Sequence, residues 1–239
     1  MNSAEHDHSG HHHADMISVE DAYSRILSAF QTLESEERSL LKAQGQVTAQ
    51  DIFSPFDIPM LSNSAMDGYA IRFQDVQSAS SSCPVILKVT ETVAAGYMPK
   101  GTVLNGTAIR IMTGAPVPEG CDTIIPFEET DEEERKTYGK GLNEIGIKKA
   151  QKINMHIRPR GEDIPKYSKV LAKGTTLTPS SIGILASLGF KSVKVVRRPR
   201  VAIIATGDEL ISPGRQLKEG KIFDSNSYTI GAAVERYGG

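Results

Sequence analysis

Long apolar runs are missing from this 239-residue chain. No stretch approaches the roughly 18–20 apolar residues of a membrane-spanning helix, and the first residues lack a signal-peptide apolar region. The cytoplasm is therefore the default compartment, and no membrane partner is expected. Cysteine is scarce. Cys83 and Cys121 form neither a CxxC nor a zinc-spaced motif, which suggests a reduced compartment. A surplus of one charge is lacking as well. The formal net charge is −2. Setting residues 1–15 aside removes Glu5, Asp7 and Asp15 from the 29 acids and leaves 26 against 27 Lys and Arg. That near-neutral body offers no basic face for nucleic acid.

What is present describes an ordinary globular protein, 39% hydrophobic and 23% charged, long enough for one or two domains. Five of the six histidines lie in residues 1–15, a disordered His-rich tail by its lack of periodicity. It can be read as a soft-metal store, a cloning remnant or a solvated tail. Ser18-Val19-Glu20-Asp21 reads as an N-cap, and Val19, Ala22, Tyr23, Ile26, Leu27 and Phe30 keep helical spacing. An amphipathic helix is predicted over residues 19–33, its apolar face serving as core or packing surface. Residues 46–53 alternate as a short strand.

From Val85 to Phe127, short apolar segments separated by Gly and Pro turns predict a small barrel or sandwich. The acid run Glu128 to Glu134 reads as a solvated loop. Thr178-Pro179 opens a helix that Gly189 stops, a strand follows at Lys191–Val196, and residues 197–200 form a hinge. Val201 to Thr206 is a continuous apolar run, the pattern of a strand buried on both faces, and Asp224-Ser225-Asn226 caps a last helix. A buried strand, a polar loop and a helix make the first βα unit of an open α/β sheet. One such unit leaves its sheet edges unpaired, so a truncated chain is expected.

The most informative stretch is Pro59 to Arg72, an ordered loop entering a strand, with Asp67 held by a tight Asp-Gly turn. Alone it reads as a hairpin turn without chemistry. Three further loops add acids or hydroxyls beside glycine: Arg110 to Ala115, Arg158 to Ile164, and Ala205 to Leu210. The last follows a strand's carboxyl end, where open α/β sheets bind ligands.

Ser-Ala-Met-Asp-Gly-Tyr-Ala, Thr-Gly-Ala-Pro-Val-Pro-Glu-Gly, Arg-Gly-Glu-Asp and Thr-Gly-Asp-Glu-Leu with a later Asp-Ser-Asn, in this order, resemble the MoeA-type molybdopterin molybdotransferases, the family of the gephyrin E domain. The resemblance runs from about Ile17 to the C-terminus. It implies Mg2+-dependent insertion of molybdate into adenylylated molybdopterin with release of AMP. It also implies an elongated homodimer, a cleft shared by both subunits, and an upstream molybdopterin adenylyltransferase. The implied fold is a multidomain α/β chain. Residues 16–53 and 150–197 would form a discontinuous, elongated α+β domain. Residues 54–149 would be a β-rich, barrel-like insertion, and residues 198–239 the start of a parallel-sheet α/β domain that binds molybdopterin.

Carried over by motif, Asp67, Thr113, Asp163 and Glu209 are the expected catalytic residues. Ser64, Gly114, Asp208, Asp224 and Asn226 are the expected cofactor-binding residues. A carboxylate ~4 Å from one like charge costs about 4 kcal/mol at an effective dielectric near 20, so Asp67 and Glu209 suit Mg2+ better than molybdate or pyrophosphate. Oxyanion contacts would come from Thr113, loop N–H groups and Arg72 or Arg110. The later Gly-Gly-Val-Ser loop and the fourth domain of the family are not in this sequence, which implies that the 239 residues are inactive alone. The competing reading is a non-catalytic dimerisation or scaffold module of the gephyrin type.

Overall fold

The structure, a computed structural model, describes residues 17–239. The His-rich tail lies outside them. In chain order the elements are α1 (Val19–Ser28), β1 (Ser35–Ser39), α2 (Leu40–Ala43), β2 (Ile52–Phe53), β3 (Asn63–Ser64), β4 (Gly68–Ile71), β5 (Val85–Val93), β6 (Thr107–Ile111) and β7 (Thr123–Pro126). There follow α3 (Glu132–Thr137), β8 (Glu144–Ile147), β9 (Ile157–Arg158), β10 (Lys169–Leu171), α4 (Pro179–Ser187), β11 (Ser192–Val196), β12 (Leu210–Ile211), β13 (Ile222–Phe223) and α5 (Asn226–Arg236). They fall into two units. One comprises residues up to Ala49, Thr176–Ile182 and Lys191–Gly239; the other comprises Gln50–Thr175 and Gly183–Phe190.

In the first unit, Ser18 caps α1 as expected, its Oγ accepting the Asp21 N–H at 3.0 Å. The helix ends at Ser28, not near residue 33, because the chain must extend to pair β1 with β11 from Ser35 onward. Its apolar face is open: no residue of α1 is buried. Residues 46–53 are not one strand. Val47 and Thr48 make single bridges to Thr176 and Val195, and β2 alone, in the second unit, pairs with β10. Asp51, whose Oδ1 accepts the Lys173 N–H at 2.7 Å, holds the chain at the break.

The run Val201 to Thr206 is not a buried strand. It is irregular and exposed, with Ile204 82% accessible. An apolar run becomes a strand only when neighbours take up its N–H and C=O groups, and it has none among the described residues. The parallel pairing expected there appears later and shorter, as β12 with β13, followed by α5. Among the described residues no helix is long and apolar enough to cross a membrane.

The second unit is built on one five-stranded sheet in the order β7-β4-β6-β5-β8, curled into half a barrel rather than closed. Its strands alternate between two apolar layers. Tyr69, Ile71, Ala108, Ile125 and Ile145 share one, and Ala70, Ile109, Ile111 and Ile124 the other. Gly68 is required by close approach, not by a tight turn: a Cβ there would stand 2.0 Å from the Ile125 carbonyl oxygen. The acid run is not a solvated loop either, because α3 begins inside it and buries Glu132.

Gly68→Ala is expected to lower the unfolding free energy by about 3 kcal/mol, since backbone must move to admit the methyl group. Gly183→Ala, inside α4 with open space at its Cβ, should raise it by about 1 kcal/mol. Urea denaturation of both variants measures the pair.

Candidate functional site

Three of the four motif loops meet in the second unit, and backbone hydrogen bonds stitch them together. β3 sits in the middle. On one side the Ser64 N–H donates to the Ala115 carbonyl at 3.0 Å, and the Gly114 N–H donates to the Ser64 carbonyl at 2.8 Å. On the other side β3 pairs antiparallel with β9, and the Ala65 N–H donates to the His156 carbonyl at 2.9 Å. Farther along, the Asp163 N–H donates to the Ile58 carbonyl at 2.9 Å. The Arg160 N–H reaches Ser62 Oγ at 3.1 Å. His156 adopts a left-handed φ of 58°, a conformation that is uncommon outside glycine and that clusters at functional sites.

Asp67 stands at the end of this stitched region, one residue before β4. Its Oδ1 accepts both the Thr113 N–H at 2.7 Å and the Thr113 hydroxyl at 2.8 Å. The partner is therefore a residue beyond β6, not its own turn. These bonds, first the backbone N–H and then the hydroxyl, hold the Asp67 carboxyl below its usual range, with help from the field of Arg110. Oδ2 takes no hydrogen bond among the described residues. The arrangement corrects one expectation, because both donors of Thr113 are committed to Asp67 and are not free for an oxyanion.

Arg110 is also committed. Its Nη2 and Nε bond Glu132 at 2.7 and 3.1 Å, and its guanidinium lies 4.4 Å from the centre of the Phe127 ring. Lys136 adds an ion pair at 2.9 Å, and the Tyr69 hydroxyl donates to the same carboxylate. Burial alone would push the Glu132 carboxyl up, but the bonds from Arg110, Tyr69 and Lys136 outweigh it and hold the group at about 2. Burial, and then the bond to Glu132, pushes the Tyr69 phenol well up. Arg72, the other cation considered, has Asp75 3.9 Å away.

Asp163 is handled differently from Asp67. Both of its oxygens accept from Arg158 Nη2 at 2.7 Å, while Arg158 Nε bonds Glu162 at 2.9 Å. It belongs to the stitched loops but no hydrogen bond joins it to Asp67. On β3, opposite Arg158, Asn63 Oδ1 is buried without a partner among the described residues.

The fourth motif lies in the first unit. Gly207 has φ 149°, and the Glu209 carboxylate occupies the space a Cβ would need there, 2.7 Å away. The Asp208 and Glu209 carbonyls accept from Lys221 Nζ and the Ile222 N–H at 2.5 and 2.9 Å. Asp224 lies just before α5 and its Oδ1 accepts the Ser227 N–H at 3.0 Å; hydrogen bonds from the Ser227 side chain and then its backbone hold the Asp224 carboxyl below its usual range. Asp224 and Asn226 line a cavity of about 270 Å³ with Thr206 and Leu210; Asp208 and Glu209 do not.

No cluster of three His, Cys, Asp or Glu able to hold a metal occurs among the described residues. Asp67 alone still fits a hard cation. It is ionised, exposed and has one free oxygen, and Mg2+ commonly takes one or two carboxylates and keeps several waters.

Residues 17–189 match the family described as the MoeA N-terminal region, domains I and II. The chain belongs to the MoeA family. It is 42% identical over 199 residues to molybdopterin molybdenumtransferase 2 of Mycobacterium tuberculosis, covering 83% of this chain and 47% of that protein. It is 37% identical over 232 residues to molybdopterin molybdenumtransferase of Nostoc, covering 95% and 51%. A crystal structure of the molybdopterin biosynthesis MoeA protein from Pyrococcus horikoshii OT3 superposes with a TM-score of 0.82 at 36% identity, covering 92% of this chain and 57% of that one. The chain thus spans about half the length of the curated relatives it matches.

Within this MoeA chain the residue that motif reading missed is Glu132. The available signal was Arg110, a cation in the apolar strand Thr107–Ile111, which needs a buried acid. Glu132→Gln should cost about 3–5 kcal/mol, the usual penalty for leaving one charge of a buried pair alone. The sign of the pH effect follows from the lowered carboxyl. Its stabilisation is present above the ordinary Glu range near 4.5 and is lost as pH falls toward about 2. Urea midpoints recorded from pH 6 to pH 2 should fall less steeply for Glu132→Gln than for the parent.

Proposed function

We propose that the protein carrying this chain completes the molybdenum cofactor, inserting molybdate into adenylylated molybdopterin with Mg2+ and releasing AMP. Family membership and the relatives' name, molybdopterin molybdenumtransferase, support this reading. The observation that carries it is the Asp67 carboxylate, fixed through Oδ1 by Thr113 with Oδ2 free on the exposed edge of the stitched loops. An ionised, aimed, half-satisfied carboxylate is suited to a hard cation and unsuited to touching an oxyanion.

When bound, Mg2+ would supply charge neutralisation at the pyrophosphate and polarise its P–O bond. Asp67 would hold it through its free carboxylate oxygen. Thr113 orients Asp67 through two donated hydrogen bonds, so it acts through the carboxylate. Asp163, tied to Arg158, keeps the third loop in its folded form. Asp208, Asp224 and Asn226 are the residues we assign to molybdopterin. The substrate's adenylyl group requires an upstream molybdopterin adenylyltransferase, and the reaction is placed in the cytoplasm.

We assign a homodimer as the working form. Tyr23, Ile26 and Leu27 on α1 are 64%, 58% and 52% exposed, a stripe that a second copy would cover. The same stripe is what favours the second reading, a non-catalytic scaffold module of the gephyrin type.

The purified full-length protein that carries this chain, given adenylylated molybdopterin, Mg2+ and molybdate, should release AMP. Asp67→Ala should abolish release, and Thr113→Val should reduce activity or Mg2+ affinity about 10- to 100-fold. Undiminished release by Asp67→Ala would sink the assignment, and an inactive but dimeric parent protein would favour the scaffold. In sedimentation, Tyr23→Asp combined with Leu27→Asp should convert dimer to monomer.

A further inference from the structure

β5 and β6 run parallel, with Val93 opposite Ile111, so both strands release their chains at the same end of the sheet. β6 leads into Thr113 and Gly114. β5 leads into a second loop, Ala94 to Lys100, that lies alongside: a Cβ on Gly114 would stand 3.8 Å from the Ala95 Cβ. None of the four motifs includes this loop.

The loop is built, not slack. The Tyr97 N–H donates to the Ala94 carbonyl at 3.2 Å, and Gly96, third in that turn, has φ 87°, the geometry of a type II turn. At the far end Glu91 accepts the backbone N–H groups of Lys100 and Gly101 at 3.1 and 2.8 Å. Between these two ties is a groove of about 330 Å³, lined by Glu91, Thr92, Tyr97, Met98 and Lys100 among others. Tyr97 is 71% and Met98 63% exposed although the loop is pinned. The Lys100 ammonium makes no ion pair among the described residues.

An exposed ring, a thioether and an unpaired cation in a groove of small-ligand size form one recognisable combination. The ring and sulfur offer a face to a planar heteroaromatic system, and the ammonium offers a counter-charge to phosphate. We infer that the Ala94–Lys100 loop is a substrate subsite in which Tyr97 and Met98 stack on a heteroaromatic ring and Lys100 meets the phosphate attached to it. The inference rests on the reading of the Asp67–Thr113 edge as the reaction site, and it adds specificity-determining residues there.

Two ring sources share this chemistry, an adenylate and a pterin phosphate. The 239-residue chain, labelled for amide NMR, would be titrated with AMP, with neopterin monophosphate and with inorganic phosphate alone. The expected result is saturable shifts of the Gly96, Tyr97 and Lys100 amides with one of the two ring phosphates, which identifies the source. Tyr97→Ala should weaken that ligand at least about fivefold, the low end for loss of one stacked aromatic, and Tyr97→Phe should bind within about twofold of the parent. Lys100→Met should weaken the ring phosphate while leaving the phosphate-free ring compound unchanged. Tyr97 is exposed, so retained amide dispersion in Tyr97→Ala shows that the fold is intact. No saturable shift at this loop with either ring phosphate overturns the inference, as does a loss below fivefold in Tyr97→Ala. Either result leaves AMP release free to succeed. Binding at Tyr97 in a protein that releases no AMP would instead remove the transferase reading and keep the subsite.

Discussion

The buried pair of Arg110 with Glu132 is the constraint on which the second unit depends. A charge inside an apolar layer is tolerated only with a partner and further hydrogen bonds, and here the carboxylate takes bonds from Arg110, Tyr69 and Lys136. Tyr69 comes from β4, Arg110 from β6 and Glu132 from α3, while Phe127 beside β7 covers the guanidinium. One carboxylate therefore ties two central strands to the helix beyond the third. Asp67 and Thr113 stand just outside those same strands. Their alignment depends on the register that Tyr69 opposite Arg110 secures.

Two acids from neighbouring motifs end in opposite electrostatic states. Asp163 is neutralised by Arg158 and is part of the frame. Asp67 accepts only uncharged donors and keeps its full charge beside a free oxygen. The two motif carboxylates thus differ in their partners, a guanidinium for Asp163 and uncharged donors for Asp67.

Much of the site was legible because its signals are local. Ser18 as a cap, Pro179 at the first position of α4, Gly189 after it and the glycine-rich loops around Asp67, Thr113 and Asp163 all reflect short-range geometry. What escaped was long-range. Nothing near Glu132 distinguishes it from the other acids of its run, since its burial depends on Arg110 from β6. The end of α1 is set by β11, far along the chain, whose pairing claims Ser35. Gly68 looked like turn chemistry, whereas the constraint is a carbonyl on β7. Val201 to Thr206 failed for the converse reason: apolar composition proposes a strand, but strand hydrogen bonds need partners.

The position of β3 between two loops bears on how the protein is made. Ser64 emerges from the ribosome early, its first neighbours around Ala115 follow later, and Ile157 on its other edge arrives only when most of the second unit has been synthesised. At about 5–20 residues per second, this short strand waits several seconds with an unpaired edge. Such distant pairings are slow to close, so the segment that holds Asp67 in place is among the last parts of its unit to become ordered. A slowed or stalled ribosome would thus present a sheet already able to form around β4 and β6 while the acid beside it still lacked its final setting.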